Sequence, residues 1–351
     1  MIVIAGGGLA AQRCCERLRR KGYDGRIAMV CDEPHAPYDR PPLSKEYLAG
    51  NMTAPPRLRP DGWHADHAVD LVLDMPATAL HHRDSELELA DGMRLRYDKL
   101  LIATGAVPRT LPGVEGHVLR TLDDAARLRD SLGPGTRLAV VGAGFIGQEV
   151  ASTASKLGAH VTLFEAMAAP LAHIVGERVG DWFARLHRDH GVEVRTSAAF
   201  DPARVCEFDQ VVVGVGVVPA TEWLRGTPIG PNGTVAVRAD HAGRTCIPNV
   251  FAAGDCAGSQ HWEAAVQQGG AAALAMLGDE PPAPVPSSFW SDLYGIRINW
   301  LGDARGADSV EVDGEPDAND FSVTYRRGDK AVAGLLVGRP QQLPQLRKEL
   351  A

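Results

Sequence analysis

The stretch IVIAGGGLAAQRCCERLRRKG, Ile2 to Gly22, decides the fold. Its leading apolar run suits a buried strand, its glycines a tight turn, and the remainder an amphipathic helix. The run RIAMVCDE, Arg26 to Glu33, follows as a second strand ending in acids. Within the turn, Gly6, Gly8 and Ala11 form GxGxxA. The first glycine permits the turn, the second lets a pyrophosphate approach the backbone, and the small third residue lets helix pack on strand. The free N–H groups of the helix then face the phosphates. Asp32 or Glu33 stands where a ribose hydroxyl could donate.

The same plan recurs in RLAVVGAGFIGQEVASTASKLG (Arg137 to Gly158) followed by HVTLFE (His160 to Glu165). Gly142, Gly144 and Gly147 complete the stricter GxGxxG, with Ile146 inside it, and Glu165 ends the second strand. A carboxylate there pairs with the 2′-hydroxyl of an adenosine ribose and repels a 2′-phosphate. The residues after it, AMAAPLAH, hold no arginine to receive that phosphate. The second site is therefore expected to prefer NADH to NADPH, the competing reading being a solvated acid at a strand end.

Each unit has companions farther along. LLIATGAVPR (Leu100 to Arg109) is expected as a buried strand ending in a Thr104–Gly105 turn, VVVGVGVVP (Val211 to Pro219, with Gly216) as a similar one, and NVFAAGDCAG (Asn249 to Gly258) as a third that breaks at Gly254–Asp255. An alanine-rich helix then runs to Gly278, and PPAPVP (Pro281 to Pro286) is a linker by composition. The tail reads as strand and turn with a short basic helix near Leu343 to Leu350. The expectation is an α/β chain with two Rossmann-like dinucleotide-binding domains and a small α+β C-terminal domain. Its bounds are 1–108 with 228–280 for the first domain, 109–227 for the second and 287–351 for the third.

A net charge of −8 opposes sequence-independent nucleic-acid binding, which needs a basic face. No apolar run nears the roughly 20 residues of a membrane span. The chain enters its first apolar run at Ile2 without a charged leader, so a cytoplasmic protein is expected. Cys14, Cys15, Cys31, Cys206, Cys246 and Cys256 show no CxxC or CxxxxC spacing, against a cluster or redox disulfide. The histidines His35, His64, His67, His81 and His82 read as polar-loop residues without metal-ligand spacing.

The motifs GGGLAA, YDRPPLSKEYLAG (Tyr38 to Gly50), LLIATGAVPRTLPG, VVGAGFIGQEVA, TCIPNVFAAGD and FWSDLYGIRINWLG stand in one order along the chain. Together they resemble the FAD-dependent NADH:ferredoxin reductases of Rieske oxygenase and cytochrome P450 systems, which have a glutathione-reductase-like fold. YDRPPLSK and FWSD discriminate this branch better than the glycine motifs do. The resemblance implies a flavoprotein that passes electrons from NADH through FAD to a small [2Fe-2S] ferredoxin, as a monomer or homodimer.

Carried onto this chain, the resemblance implies that Arg40 and Arg109 contact FAD, that Lys45 lies beside the isoalloxazine and that Glu149 faces Lys45. It also implies that Trp262 and Trp290 flank the flavin edge and that Asp255, in AAGD, holds the ribityl chain. A cation near the flavin would stabilise negative charge on its reduced form, and a buried lysine needs a carboxylate partner. Disulfide reductases of the wider superfamily carry a cysteine pair after the first βαβ unit; Tyr38 to Gly50 contain none, so electrons are expected to leave the flavin directly. The segment from Asp255 to Trp262 and the C-terminal domain are shorter than in relatives, both near the expected ferredoxin face. Two alternatives keep the fold: an NADH oxidase or quinone or small-molecule reductase, and an NADH-sensing interaction protein resembling apoptosis-inducing factor.

Overall fold

The computed structural model describes residues 1–230, 235–259, 261–286 and 288–350. The limits 287 and 351 expected for the third domain lie outside the described residues. The chain forms two compact units: Met1–Asp39, Pro56–Val107 and Val218–Val285 in the first, and Arg40–Pro55, Pro108–Val217 and Pro286–Ala351 in the second. The YDRPPLSKEYLAG stretch is therefore split, with Tyr38 and Asp39 in the first unit and the remainder in the second.

In the first unit a five-stranded parallel sheet runs in the order Val250–Ala252, Lys99–Ile102, Ile2–Ala5, Ile27–Val30, Val69–Val72. Ile2 pairs with Ile27 on one side and Lys99 on the other. Both faces of the sheet are covered, which is why IVIA and IAMV are continuously apolar and wholly buried. One face carries the helix Leu9–Arg20, which buries Ala10, Ala11, Cys14, Cys15 and Leu18. The helix Trp262–Leu277 lies against it so tightly that a Cβ on Gly269 would fall 2.2 Å from the Ala10 carbonyl oxygen. Small residues in AAVQQGGAAALA are what permit that approach. Gly278, at φ 89°, ends this helix.

In the second unit a four-stranded parallel sheet runs Glu193–Arg195, His160–Phe164, Arg137–Val141, Gln210–Val213. The helix Phe145–Lys156 packs on its Leu138, Val140 and Leu163 face, and Leu48 joins that core. The tail forms a five-stranded antiparallel sheet, Ser288–Leu293, Ile296–Gly302, Lys330–Val337, Asp320–Arg327, Ser309–Glu315. Trp300 and Phe321 of that sheet pack with Trp182 and Phe183 of the helix Glu177–Asp189. The closing helix is Leu343–Glu349.

After Asp39 the chain makes a 3₁₀ turn, Pro41–Ser44, followed by hydrogen-bonded turns to Gly50. Two successive prolines donate no N–H, and Lys45 leaves helical angles at φ −121°, ψ −104°. The runs after Leu100 and Val211 each restart as a second strand, Ala106–Pro108 and Val217–Pro219. Gly105 (φ 73°) and Gly216 (φ 97°) supply the reversals between the pieces. His64 and His81 lie in a short helix and a strand rather than in loops.

Candidate functional site

The first glycine turn is built by close approach of backbones. Gly6 has φ 124°, and a Cβ there would lie 2.1 Å from the Ala103 carbonyl oxygen. Gly8 caps the helix Leu9–Arg20 without any side-chain hydrogen bond, and a Cβ on it would meet nothing within 4 Å. The helix thus presents an uncapped N-terminus to open space, as an anion site requires. Ala11 is fully buried under the turn. Of the two acids, Asp32 is exposed, whereas Glu33 accepts a hydrogen bond from the Tyr38 hydroxyl at 2.5 Å.

The Thr104 hydroxyl donates to the Ala220 carbonyl at 2.7 Å, and the Ala220 N–H donates to Gly105 at 3.0 Å. Gly254, at φ 81°, donates its N–H to Gln268 Oε1 at 2.8 Å and opens the 3₁₀ turn Asp255–Ala257. Cys256 is sealed beneath, its thiol pushed up to about 11 by burial and bonded to the Ile102 and Ala253 carbonyls. That is an inert thiol. Trp262 donates its indole N–H to Asp39 Oδ1 at 2.7 Å, a partner the sequence reading missed.

The second turn repeats this construction. A Cβ on Gly142 (φ 100°) would lie 2.5 Å from the Gly214 carbonyl oxygen, and one on Gly147 2.0 Å from the Gly142 carbonyl oxygen. Gly144 caps the helix Phe145–Lys156, again without a side-chain cap, and Ile146 stands 46% exposed beside it. Glu165 reaches back to the turn: Oε2 accepts the Ala143 N–H and Oε1 the Met167 N–H, both at 2.9 Å. Gly216 accepts the Arg109 N–H at 2.9 Å, and Arg109 Nε donates to the Val217 carbonyl. Arg40 donates to the Arg120 carbonyl at 2.6 Å. Trp290 stands under the Arg297 guanidinium, 5.8 Å from the ring centre.

Lys45 and Glu149 meet in the second unit. Lys45 Nζ lies 2.8 Å from Glu149 Oε1 and also donates to the Pro41 carbonyl at 3.2 Å. Glu149 accepts two further hydrogen bonds, from Ser44 Oγ at 2.5 Å and Ser291 Oγ at 2.7 Å. Thr153, one helical turn after Glu149, donates to the Ser44 carbonyl at 2.7 Å. Three donors thus satisfy the buried carboxylate. Sequence reading missed Ser44 and Ser291 as its partners, although both sit inside the branch-specific motifs YDRPPLSK and FWSD.

The expected FAD residues divide between the units. Gly6, Gly8, Ala11, Asp32, Glu33, Thr104, Gly105, Gly254, Asp255 and Trp262 belong to the first; Arg40, Lys45, Arg109 and Trp290 belong to the second. The expected NAD residues Gly142, Gly144, Ile146, Gly147, Glu165 and Gly216 all lie in the second. Among the described residues no group of three or more His, Cys, Asp or Glu is placed to hold a metal ion. No described helix is long and apolar enough to cross a membrane.

A family model for pyridine nucleotide-disulphide oxidoreductases matches residues 1–269, and one for a reductase C-terminal region matches 288–351. The chain is 36% identical to the ferredoxin–NAD(+) reductase component of the biphenyl dioxygenase system of Paraburkholderia xenovorans (strain LB400), across 94% of this chain and 88% of that one. It is 34% identical to putidaredoxin reductase of Pseudomonas putida, across 99% and 90%. Among solved structures, the covalent putidaredoxin reductase–putidaredoxin complex superposes with a TM-score of 0.92 at 32% identity, covering 99% of this chain and 92% of that one.

Proposed function

Because the chain belongs to the pyridine nucleotide-disulphide oxidoreductase family, we propose that it is an FAD-dependent NADH:ferredoxin reductase feeding an oxygenase or cytochrome P450. The observation that carries this reading is the pair of glycine turns, one in each unit, each opening a helix whose N-terminus has no side-chain cap. Two such turns suit two dinucleotides.

The residues present fit FAD in the first unit. Gly6 permits the tight turn against the Ala103 backbone, and Gly8, where a Cβ would meet nothing within 4 Å, leaves room for a pyrophosphate before the uncapped helix N-terminus. Gly6, Gly8, Ala11 and the Asp32–Glu33 pair would hold its adenosine end, with Thr104, Gly105, Gly254 and Asp255 farther along the cofactor and Arg40, Arg109, Trp262 and Trp290 as further contacts. When bound, FAD supplies the adapter chemistry, taking a hydride from nicotinamide and giving single electrons to an iron–sulfur centre.

The chain's own residues bind, orient and tune. Gly142, Gly144 and the helix behind them receive the NADH pyrophosphate, while Glu165, already oriented by two backbone N–H groups, accepts from the ribose and disfavours a 2′-phosphate. Lys45 holds a positive charge for the reduced cofactor, and Glu149 fixes its position. Ser44 and Ser291 hold that carboxylate in place. With Cys14, Cys15 and Cys31 buried and the Cys14 and Cys31 thiols pushed up to about 12 by burial, they supply no thiol relay.

We assign residues 1–108 with 228–280 to FAD, 109–227 to NADH and 287–351 to a C-terminal domain. The acceptor is a small [2Fe-2S] ferredoxin, and the protein works in the cytoplasm as a monomer or homodimer. The test is anaerobic stopped-flow reduction of the purified protein by NADH and NADPH, followed by turnover against iron–sulfur proteins, quinones and oxygen. Purification with bound flavin, bleaching by NADH and turnover only with an iron–sulfur protein are expected. A colourless protein, or rapid turnover with quinone or oxygen alone, would overturn the assignment.

A further inference from the structure

A chain of hydrogen bonds crosses the second unit and ends on its glycine turn. Gln148 donates Nε2–H to the Ala143 carbonyl at 3.0 Å. Its Oε1 lies 3.3 Å from His187 Nε2, and His187 Nδ1 lies 2.7 Å from the Tyr294 hydroxyl. Gln148 and His187 are both fully buried.

The direction of each bond follows from the first. A carbonyl only accepts, so the amide nitrogen must face Ala143 and the amide oxygen must face His187. His187 is neutral, its pKa held down to about 3 by burial with a further push from His190. A neutral imidazole has one N–H, so Nε2 carries it towards Gln148 and Nδ1 accepts from Tyr294. Burial raises the Tyr294 hydroxyl, so it stays protonated as the donor. The chain therefore runs one way: Tyr294 to His187 to Gln148 to Ala143.

Ala143 is the middle residue of Gly142–Ala143–Gly144, and its N–H is the one that holds Glu165. One peptide is thus gripped from its carbonyl side by the relay, while the neighbouring N–H orients the ribose acid. Tyr294 sits at the tip of the hairpin Ser288–Leu293/Ile296–Gly302 in the strained left-handed region, φ 55°, and its own N–H is tied to Ser152 Oγ at 3.0 Å. A purely structural histidine in a helix face needs any partner; this one links the far end of the C-terminal hairpin to the phosphate turn.

We propose that Tyr294, His187 and Gln148 are positioning residues for the nicotinamide dinucleotide, setting the Ala143 peptide so that the glycine turn and Glu165 are presented to it from the C-terminal hairpin. The proposal rests on the assignment of NADH to this turn. It makes nucleotide affinity depend on a hydroxyl in the C-terminal region that does not itself touch the nucleotide.

The experiment uses the flavin-loaded full chain. Tyr294→Phe removes only the hydroxyl and keeps the ring stacked on His190 at 3.8 Å. The expected result is a rise in the dissociation constant for NAD⁺, by calorimetry, and in KM for NADH of roughly 3- to 10-fold, the usual weight of one hydrogen bond. The kcat and flavin content stay at wild-type levels, and Gln148→Met behaves likewise. In the wild type, nitrogen-15 spectra should show His187 neutral with the proton on Nε2, assigned by loss of the signal in His187→Gln, and shifted by NAD⁺. Unchanged NAD⁺ affinity in Tyr294→Phe and Gln148→Met, or an Nδ1-protonated His187, overturns the relay alone. A wild type that binds no NAD⁺ or NADH overturns the proposed function and this inference with it.

Discussion

Glu149 Oε1 and Lys45 Nζ stand 2.8 Å apart with only 3% and 11% of their side chains exposed, and Ser44 and Ser291 complete the carboxylate's shell. Breaking one side of such a pair leaves a buried uncompensated charge, which costs about 3–5 kcal/mol. Lys45→Met is therefore expected to lower stability by that order and to slow flavin reduction by NADH. The double variant Lys45→Met with Glu149→Gln should lose less stability than the sum of the single changes, because no lone charge remains. Chemical denaturation reads the first quantity and anaerobic stopped-flow the second; additive single losses would show that the two residues do not act as a pair.

Paired alanine changes separate the two nucleotide sites. In Gly6→Ala the new Cβ would press to 2.1 Å from Ala103, and in Gly147→Ala to 2.0 Å from Gly142, in both cases against backbone that cannot swing aside. Gly6→Ala is expected to purify without flavin. Gly147→Ala is expected to purify yellow yet resist reduction by NADH, since its clash parts the helix from the second turn. Absorbance at purification and after anaerobic NADH addition distinguishes them, and loss of flavin from Gly147→Ala would contradict the division of roles.

Both glycine turns could be read from sequence because each is a local device, a strand, a reversal and a helix within some 20 contiguous residues. What escaped was set by distant segments. Ser291 meets Glu149 across 142 positions and Ser44 meets it across 105, so neither carries a local signal. His187 is one histidine on an otherwise ordinary amphipathic helix, and only folding shows that its two nitrogens face Gln148 and Tyr294. The segment Arg40–Pro55 clusters with the second unit because Leu48 joins the core around Val150 and Ala154, which no propensity reveals.

Glu165 is held by the N–H groups of Ala143 and Met167, and among the described residues no cation pairs with it. Its charge is thus available to repel a 2′-phosphate. Glu165→Ser should lower the ratio of kcat/KM for NADH over NADPH by about 10-fold or more, a change of roughly 1.4 kcal/mol or more in relative transition-state binding. The loss should fall mostly on NADH, because no arginine is added for NADPH. A ratio equal to wild type would remove Glu165 from the ribose site.

His187 gives the protein an acid dependence of predictable sign. Its folded pKa of about 3 lies below the ordinary histidine value of about 6.5, because burial, and then His190, oppose its charge. Above about pH 6.5 the ring is neutral in both folded and unfolded chains and contributes no slope. Between about 6.5 and about 3 the unfolded chain binds a proton that the folded one refuses, so stability falls as pH falls, by up to about 1.4 kcal/mol per pH unit. His64, also lowered by burial, adds to the same slope in every variant and cancels in the difference. His187→Gln should therefore be less stable than wild type near neutrality, where its hydrogen bonds to Tyr294 and Gln148 are altered. It should also lose about one proton's worth of slope between roughly pH 6 and 4. Denaturant midpoints measured across that range decide the matter, and parallel curves for the two proteins would mean that His187 takes up its proton in the folded state.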